Sequence, residues 1–269
     1  MVEVACITPL FVPGDRPERF AKAAAAGTDA VIIDLEDAVA PDNKAAARNA
    51  ICQPGALPQG VDIFVRINDC QTPWFHDDIT AVAKLQVTGI LLPKSNSAAD
   101  IREVLQHSPG SQVIALIETA CGLAAAREIA QAAGMARLAF GSIDFCADLG
   151  IGHTRQALLA ARSEIVLASR LAGLFAPIDG VTTAIDNTEL IEDDARYARE
   201  LGFRGKLCIH PRQLMPARRG FSPSADEISW AQRILAAGPH GAISVDGKMV
   251  DAPVRAQAQR ILAFAAVAV

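Results

Sequence analysis

The hydrophobic positions of this chain fall in short runs without alternation, set between amphipathic stretches, from the start to about residue 215. Strands buried on both faces of a parallel sheet read this way, because neither side of the strand meets water. The runs at 4–7, 30–33, 61–65, 89–92, 113–117, 138–143, 176–181 and 206–209 predict strands. Helical patterning fills the gaps at 17–26, 43–51, 75–85, after Ser97, up to Gly134, at 155–172 and at 189–201. Pro17 opens the first of these and Gly27 closes it, the usual asymmetry of helix ends. Eight strand and helix alternations with short connections predict an α/β fold of the (β/α)8 TIM-barrel type. An open doubly wound sheet is the competitor, but the Gly-rich phosphate turn expected after its first strand is missing.

The rhythm stops after residue 215. Ser224 and Glu227 form a capping box that predicts a helix over 224–236. Gly238-Pro239-His240-Gly241 breaks the chain, Asp246-Gly247 predicts a hairpin turn, and a last helix starts near Pro253. The expected organisation is a catalytic barrel over 1–215 and a C-terminal helical lid extension over 216–269. The extension covers its own barrel mouth or reaches that of a neighbouring subunit.

In a parallel barrel the chemistry sits on the loops that follow the strands. Glu36, Asp37, Arg66, Lys94, Glu118, Asp144 and His210 occupy those positions. Two ionised carboxylates facing one mouth repel, so Glu118 and Asp144 point to a hard cation between them, with Mg2+ the expected metal. Glu36 and Asp37 would hold its waters or else cap the nearby helix, and Lys94 would pair with such an acid. Arg66 has a planar fork suited to a substrate carboxylate. His210, before Pro211, reads as a hydrogen-bonded structural histidine. Zinc is disfavoured, because only His210 and Cys146 could supply nitrogen or sulfur.

Composition narrows the class. Of 269 residues 51% are apolar and 20% charged, enough for a large core. A formal net charge of -5 disfavours nucleic acid as a partner. The six cysteines include no C-x-x-C pair, and most lie in apolar contexts and read as buried thiols in a reducing compartment. No secretory pattern opens the chain, and the apolar run 261–269 is too short to span a bilayer, so the expected location is the cytoplasm with no membrane partner.

Several blocks taken together resemble the citrate lyase β-subunit-like family, within the HpcH/HpaI aldolase/citrate lyase group of CoA ester lyases. They are Leu10-Phe11-Val12-Pro13-Gly14-Asp15-Arg16-Pro17, Ile33-Asp34-Leu35-Glu36-Asp37-Ala38-Val39, Val65-Arg66-Ile67-Asn68 and Leu92-Pro93-Lys94. Ile117-Glu118-Thr119-Ala120, Gly141-Ser142-Ile143-Asp144-Phe145 and Cys208-Ile209-His210-Pro211 continue the match in order over nearly the whole chain. The resemblance implies a Mg2+-dependent carbon–carbon lyase that cleaves or forms citryl-, malyl- or citramalyl-CoA, with an acyl-CoA and a keto acid as its small-molecule partners. It implies Mg2+ on Glu118 and Asp144, substrate contacts from Arg66 and Glu118, and a homotrimer or homohexamer. Asp251, in Gly247-Lys248-Met249-Val250-Asp251-Ala252-Pro253, matches a lid aspartate that acts as an acid from an adjacent subunit; the plain alternative is a helix cap. Backbone N–H groups at Gly141 would hold the thioester oxygen. Ile143 departs from the glutamate that many relatives carry before the aspartate. Two alternatives stand: a metal-dependent aldolase acting on hydroxy-keto acids without CoA, and a carrier-dependent subunit of a citrate lyase complex.

Overall fold

The computed structural model of the protein describes residues 6–238, 243–245 and 248–267. Strand β1 (Leu10–Pro13) leads through a 3-10 turn to α1 (Phe20–Ala24), then β2 (Ala30–Asp34), α2 (Lys44–Ile51), β3 (Asp62–Arg66) and α3 (Phe75–Val82). β4 (Gly89–Leu92), α4 (Ala98–His107) and β5 (Gln112–Ile117) follow, then the short helices α5 (Ala120–Ala124) and α6 (Ala126–Ala130). β6 (Met135–Phe140), α7 (Ser142–Leu149), α8 (Arg155–Leu171), α9 (Thr188–Leu201) and α10 (Leu214–Phe221) complete the barrel portion.

The six strands lie side by side in chain order and every pair is parallel. The sheet does not close itself. Isolated bridges from Ala139 to Ile178, Asp179 to Lys206 and Cys208 to Leu10 carry the circuit from β6 back to β1. The seventh and eighth strands expected at 176–181 and 206–209 are thus single-bridge segments. Buried charge supplements the missing ladder: Arg162 Nε donates to Asp179 at 2.8 Å, and Lys206 Nζ reaches the Gly180 carbonyl at 2.7 Å. The Arg137 guanidinium, at the end where strands begin, donates to the carbonyls of Ala176, Cys6 and Arg204. It ties together the three segments that the short ladders hold least.

Two apolar layers follow from the alternation of side chains along each strand. Ile32, Phe64, Leu91, Ile114, Ala139 and Leu207 fill the lumen. Val31, Ile33, Val65, Ile90, Leu92 and Leu138 pack outward against the helices. Because both faces are covered, β2, β4 and β6 are buried at every position, which is why their sequences do not alternate.

The first strand departs from the expectation at 4–7. Val4 and Ala5 lie outside the described residues, and the ladder begins at Leu10. The backbone N–H groups of Ile7 and Thr8 are taken by the Asp29 carboxylate, and Pro9 has no N–H to give. The sixth strand lies three residues earlier than the run 138–143: it spans Met135–Phe140, and Asp144 lies in the first turn of α7. The helix expected up to Gly134 is divided into α5 and α6 and ends at Ala130. An eighth helix that the pattern did not give, α10, spans residue 215 and packs on α9, where Gly220 faces the Glu192 carbonyl so closely that a Cβ would lie 2.4 Å from it.

The C-terminal segment comprises α11 (Ala225–Ala236), the antiparallel pair β7 (Ile243–Val245) and β8 (Lys248–Val250), and α12 (Ala252–Val267). The Ser224–Glu227 capping box is present. The turn residues Asp246 and Gly247, and the break at Pro239 to Gly241, lie outside the described residues. Ala231, Ile234, Val250 and Ala258 form a small apolar cluster of the segment's own. It meets the barrel through Glu227 on Arg199 at the end of α9, and through Phe264, 5.3 Å under the Arg204 guanidinium. Both barrel residues lie at the end where the strands begin, opposite the mouth.

Candidate active site

The site grows from the β2–β3 register, which sets Asp34 beside Arg66 at the last rung. Asp34 Oδ1 accepts Arg66 Nε at 2.8 Å and its Oδ2 accepts Nη2 at 2.6 Å, a fork-to-fork pair. The same carboxylate accepts the backbone N–H of Glu36 and Ala38, so one side chain holds both the arginine and the loop that follows β2. Arg66 Nη1 lies 3.0 Å from Glu36 Oε2, and the guanidinium stacks 4.8 Å from the Phe11 ring. Burial lowers the pKa of Arg66, but Asp34 and Glu36 outweigh it and hold the group above its ordinary value.

Beneath this loop Lys44 donates to the carbonyls of Leu35 and Glu36 at 2.8 and 2.7 Å. Asn68 adds a bond to the Leu35 carbonyl and is itself held by the buried Asp78. Glu36 also accepts the Lys94 ammonium. Lys94 is the one non-glycine residue among those described with a positive φ, 44°. That left-handed turn aims its backbone N–H at Glu118 Oε1, 2.7 Å away. One residue therefore bridges two acids of the mouth, through its main chain and its side chain.

Glu118, just past β5, is 2% exposed. Burial, then the neighbouring Glu36 and Asp144, push its carboxyl up to about 8. Across from it stands Gly141, where a Cβ would lie 2.4 Å from Glu118 Oε2; only glycine lets the β6–α7 turn come this close. The turn delivers Asp144 to the same cavity. That cavity, about 370 Å³, is lined by the charged Arg66, Asp34, Asp37, Glu118 and Asp144 and by the apolar Phe11, Leu116, Ile143, Val181, Leu207 and Ile209.

The structure thus brings together Arg66, Glu118, Gly141, Asp144 and Asp37 in one cavity, with Glu36 and Lys94 at its edge. Asp251 is not among the lining residues of its own chain; its carboxylate accepts the Val254 N–H at 3.3 Å and caps α12. His210 accepts the Arg212 N–H and caps a 3-10 turn, a structural part. Sequence reasoning missed Asp34 and Lys44. Asp34 carried a signal, being an acid at the end of an apolar strand, level with Arg66. Lys44 carried none, since a lysine at the start of a helix reads as solvated.

The residues present fit a divalent cation. Asp34, Glu36, Asp37, Glu118 and Asp144 bring five carboxylates to the mouth, against Arg66, Lys94 and Lys44. The acids outnumber the cations, and burial, together with the neighbouring Glu36 and Asp144, is what raises Glu118. Among the described residues no group of three or more His, Cys, Asp or Glu is arranged to hold a metal unaided. Two carboxylates would leave the other positions to water and substrate oxygens, as suits Mg2+.

Comparisons with known proteins agree with this architecture. The model of the HpcH/HpaI aldolase/citrate lyase family matches residues 8–211. The citrate lyase subunit beta-like protein of Mycobacterium tuberculosis is 41% identical over 262 residues, covering 94% of this chain and 93% of its own. The (3S)-malyl-CoA thioesterase of Cereibacter sphaeroides is 36% identical, with 90% and 88% covered. The crystal structure of the CitE protein from Mycobacterium tuberculosis, in complex with magnesium, acetoacetate and coenzyme A, superposes with a TM-score of 0.87 at 39% identity. That match covers 97% of this chain and 98% of the other.

Proposed function

The chain belongs to the HpcH/HpaI aldolase/citrate lyase family, and from that membership we propose that it is a Mg2+-dependent lyase of 3-hydroxyacyl-CoA esters. It cleaves a thioester of the malyl, citramalyl or citryl class to an acyl-CoA and a keto acid, or joins them in the reverse direction. The observation that carries this reading is the meeting of Glu118, Asp144 and Arg66 in one small, half-apolar cavity. The magnesium and coenzyme A held by the similar Mycobacterium tuberculosis protein support it.

Glu118 and Asp144 would hold the metal, which supplies Lewis acidity and offsets the surplus charge of the mouth. Arg66 binds the substrate carboxylate. Its Nε and Nη2 are already fixed by Asp34, so the fork is oriented before substrate arrives. Lys94 and Glu36 keep Glu118 and Arg66 in place and order water at the rim. Transfer of the hydroxyl proton to solvent water at the mouth lets the carbon–carbon bond break, its electron pair passing to the thioester side, which releases the keto acid and leaves an acyl-CoA enolate. The backbone N–H groups that follow Gly141, free of intrahelical partners at the start of α7, hold the thioester oxygen as its charge grows. Asp251 of a neighbouring subunit protonates the enolate carbon. Attachment of the C-terminal segment at the barrel end opposite the mouth supports a lid shared between subunits of a homo-oligomer. The cytoplasm is its proposed location; no helix among the described residues is long and apolar enough to cross a membrane.

The test is a panel of malyl-, citramalyl- and citryl-CoA assayed for keto-acid release with and without Mg2+. Release from at least one thioester, dependent on Mg2+ and absent in Asp144→Asn, is expected. Equal release from the free hydroxy acid would overturn the CoA-ester reading.

A further inference from the structure

At the wall of the cavity, where Ser142 is a lining residue, stands a polar pair that the proposed reaction does not use. Ser142, the first residue of α7, is 1% exposed, and its Oγ lies 2.9 Å from His153 Nε2. The other side of the hydroxyl faces the bare α-carbon of Gly180, where a Cβ would sit 2.3 Å from Oγ. The hydroxyl is thus enclosed, and the imidazole is the hydrogen-bonding partner it has. A buried hydroxyl stripped of its partner must move or remain unpaired.

Two features make that pair matter to the site. Gly141, the N-cap of α7, supplies no side-chain bond, whereas α4, α5, α8, α9 and α11 each start on a Ser, Thr or Asn side chain that accepts from the first turn. The side chain of Ser142 therefore supplies the side-chain anchor at the start of α7, beside the Gly141 N–H bond to Ile117, and that first turn carries Asp144. His153 comes from the loop before α8, whose cap Thr154 and buried Arg162 are fixed, the latter by Asp179. The anchor is fixed on the His153 side, and on the α7 side it adds to the Gly141 N–H bond to the Ile117 carbonyl.

We infer that His153 is a positioning residue: through Ser142 it sets the first turn of α7 and so the placement of Asp144 and of the N–H groups beside it. The inference rests on the proposed metal role of Asp144. Burial, then Arg162 and Lys206, lower the pKa of His153, while Asp179 and Asp194 act the other way; the net favours the neutral imidazole, which shares a hydrogen bond with the serine hydroxyl.

The experiment is Mg2+ titration calorimetry on the full-length protein with Ser142→Ala, His153→Ala, His153→Gln and the double variant, with kcat, KM and Tm recorded for each. Loss of the anchor should weaken Mg2+ binding about 10- to 100-fold, the range for removing a group that orients a metal ligand. The fall should appear in kcat more than in KM, with Tm little changed. The double variant should be no weaker than either single one, because both remove the same contact, and His153→Gln, which can still accept from the hydroxyl, should recover most of the loss. Wild-type affinity and kcat in both single variants would overturn the inference, as would additive losses in the double variant. Should the wild-type protein itself bind no Mg2+, the proposed function fails and this inference fails with it.

Discussion

Lys94 shows how a single residue can serve a site through its backbone. Its φ of 44° is costly for a side chain with a Cβ, yet the turn is what points its N–H at Glu118. Glycine tolerates this conformation and alanine does not, so Lys94→Gly should be more stable than Lys94→Ala by about 1 kcal/mol in thermal unfolding. Equal stabilities would show that the turn carries no strain. Both variants lose the ammonium on Glu36, so a difference between them isolates the main chain. At this scale the sequence was partly legible. Arg66, Glu118 and Asp144 stood out because charge at the end of an apolar run has no solubility reason to be there. Asp34 carried the same signal, though its role shows only through its register with Arg66; Lys44 was hidden because its partners are carbonyl oxygens, which leave no mark in a sequence.

Among the elements, the closing segments at 178–179 and 206–208 are the most informative. Their apolar runs predicted strands, and they lie where strands seven and eight belong, but the ladder is reduced to bridges. The buried Arg162, Asp179 and Lys206 hold this seam, and composition alone could not have revealed that their charges meet. Burial raises the pKa of Asp179, but Lys206 and Arg162 outweigh it and hold the carboxyl below its ordinary value. A group whose folded pKa is lowered adds stability that is complete above its unfolded value and lost progressively as pH falls from there through its folded value. The wild-type protein should therefore lose this contribution below about pH 4. Asp179→Asn should be less stable by about 3 kcal/mol at pH 7, since it leaves buried cations uncompensated, and its deficit should shrink in acid. Denaturant melts of both proteins at pH 7 and pH 3.5 check this; a deficit independent of pH would contradict the ion-pair account. The same scale explains the misplaced end of β6: Gly141 turns the chain because Glu118 leaves no space for a side chain, a constraint from a residue 23 positions earlier.

For the whole molecule, the barrel was legible because an unbroken series of doubly buried strands and amphipathic helices admits few other arrangements. The C-terminal segment was legible only as a change of rhythm. Its attachment at the far end of the barrel is a tertiary fact, set by Phe264 beneath Arg204 and Glu227 on Arg199. If Asp251 serves a neighbour's mouth, Asp251→Ala and Glu118→Ala proteins, each inactive alone, should regain activity when mixed and allowed to exchange subunits. Exchange without recovery would show that Asp251 is only the cap of α12. The central claim, that Glu118 and Asp144 share a divalent cation, is tested most directly by anomalous diffraction from crystals soaked in Mn2+. The account predicts one strong peak between the two carboxylates, within coordination distance of both. A peak elsewhere in the barrel, or none at millimolar Mn2+, would contradict it.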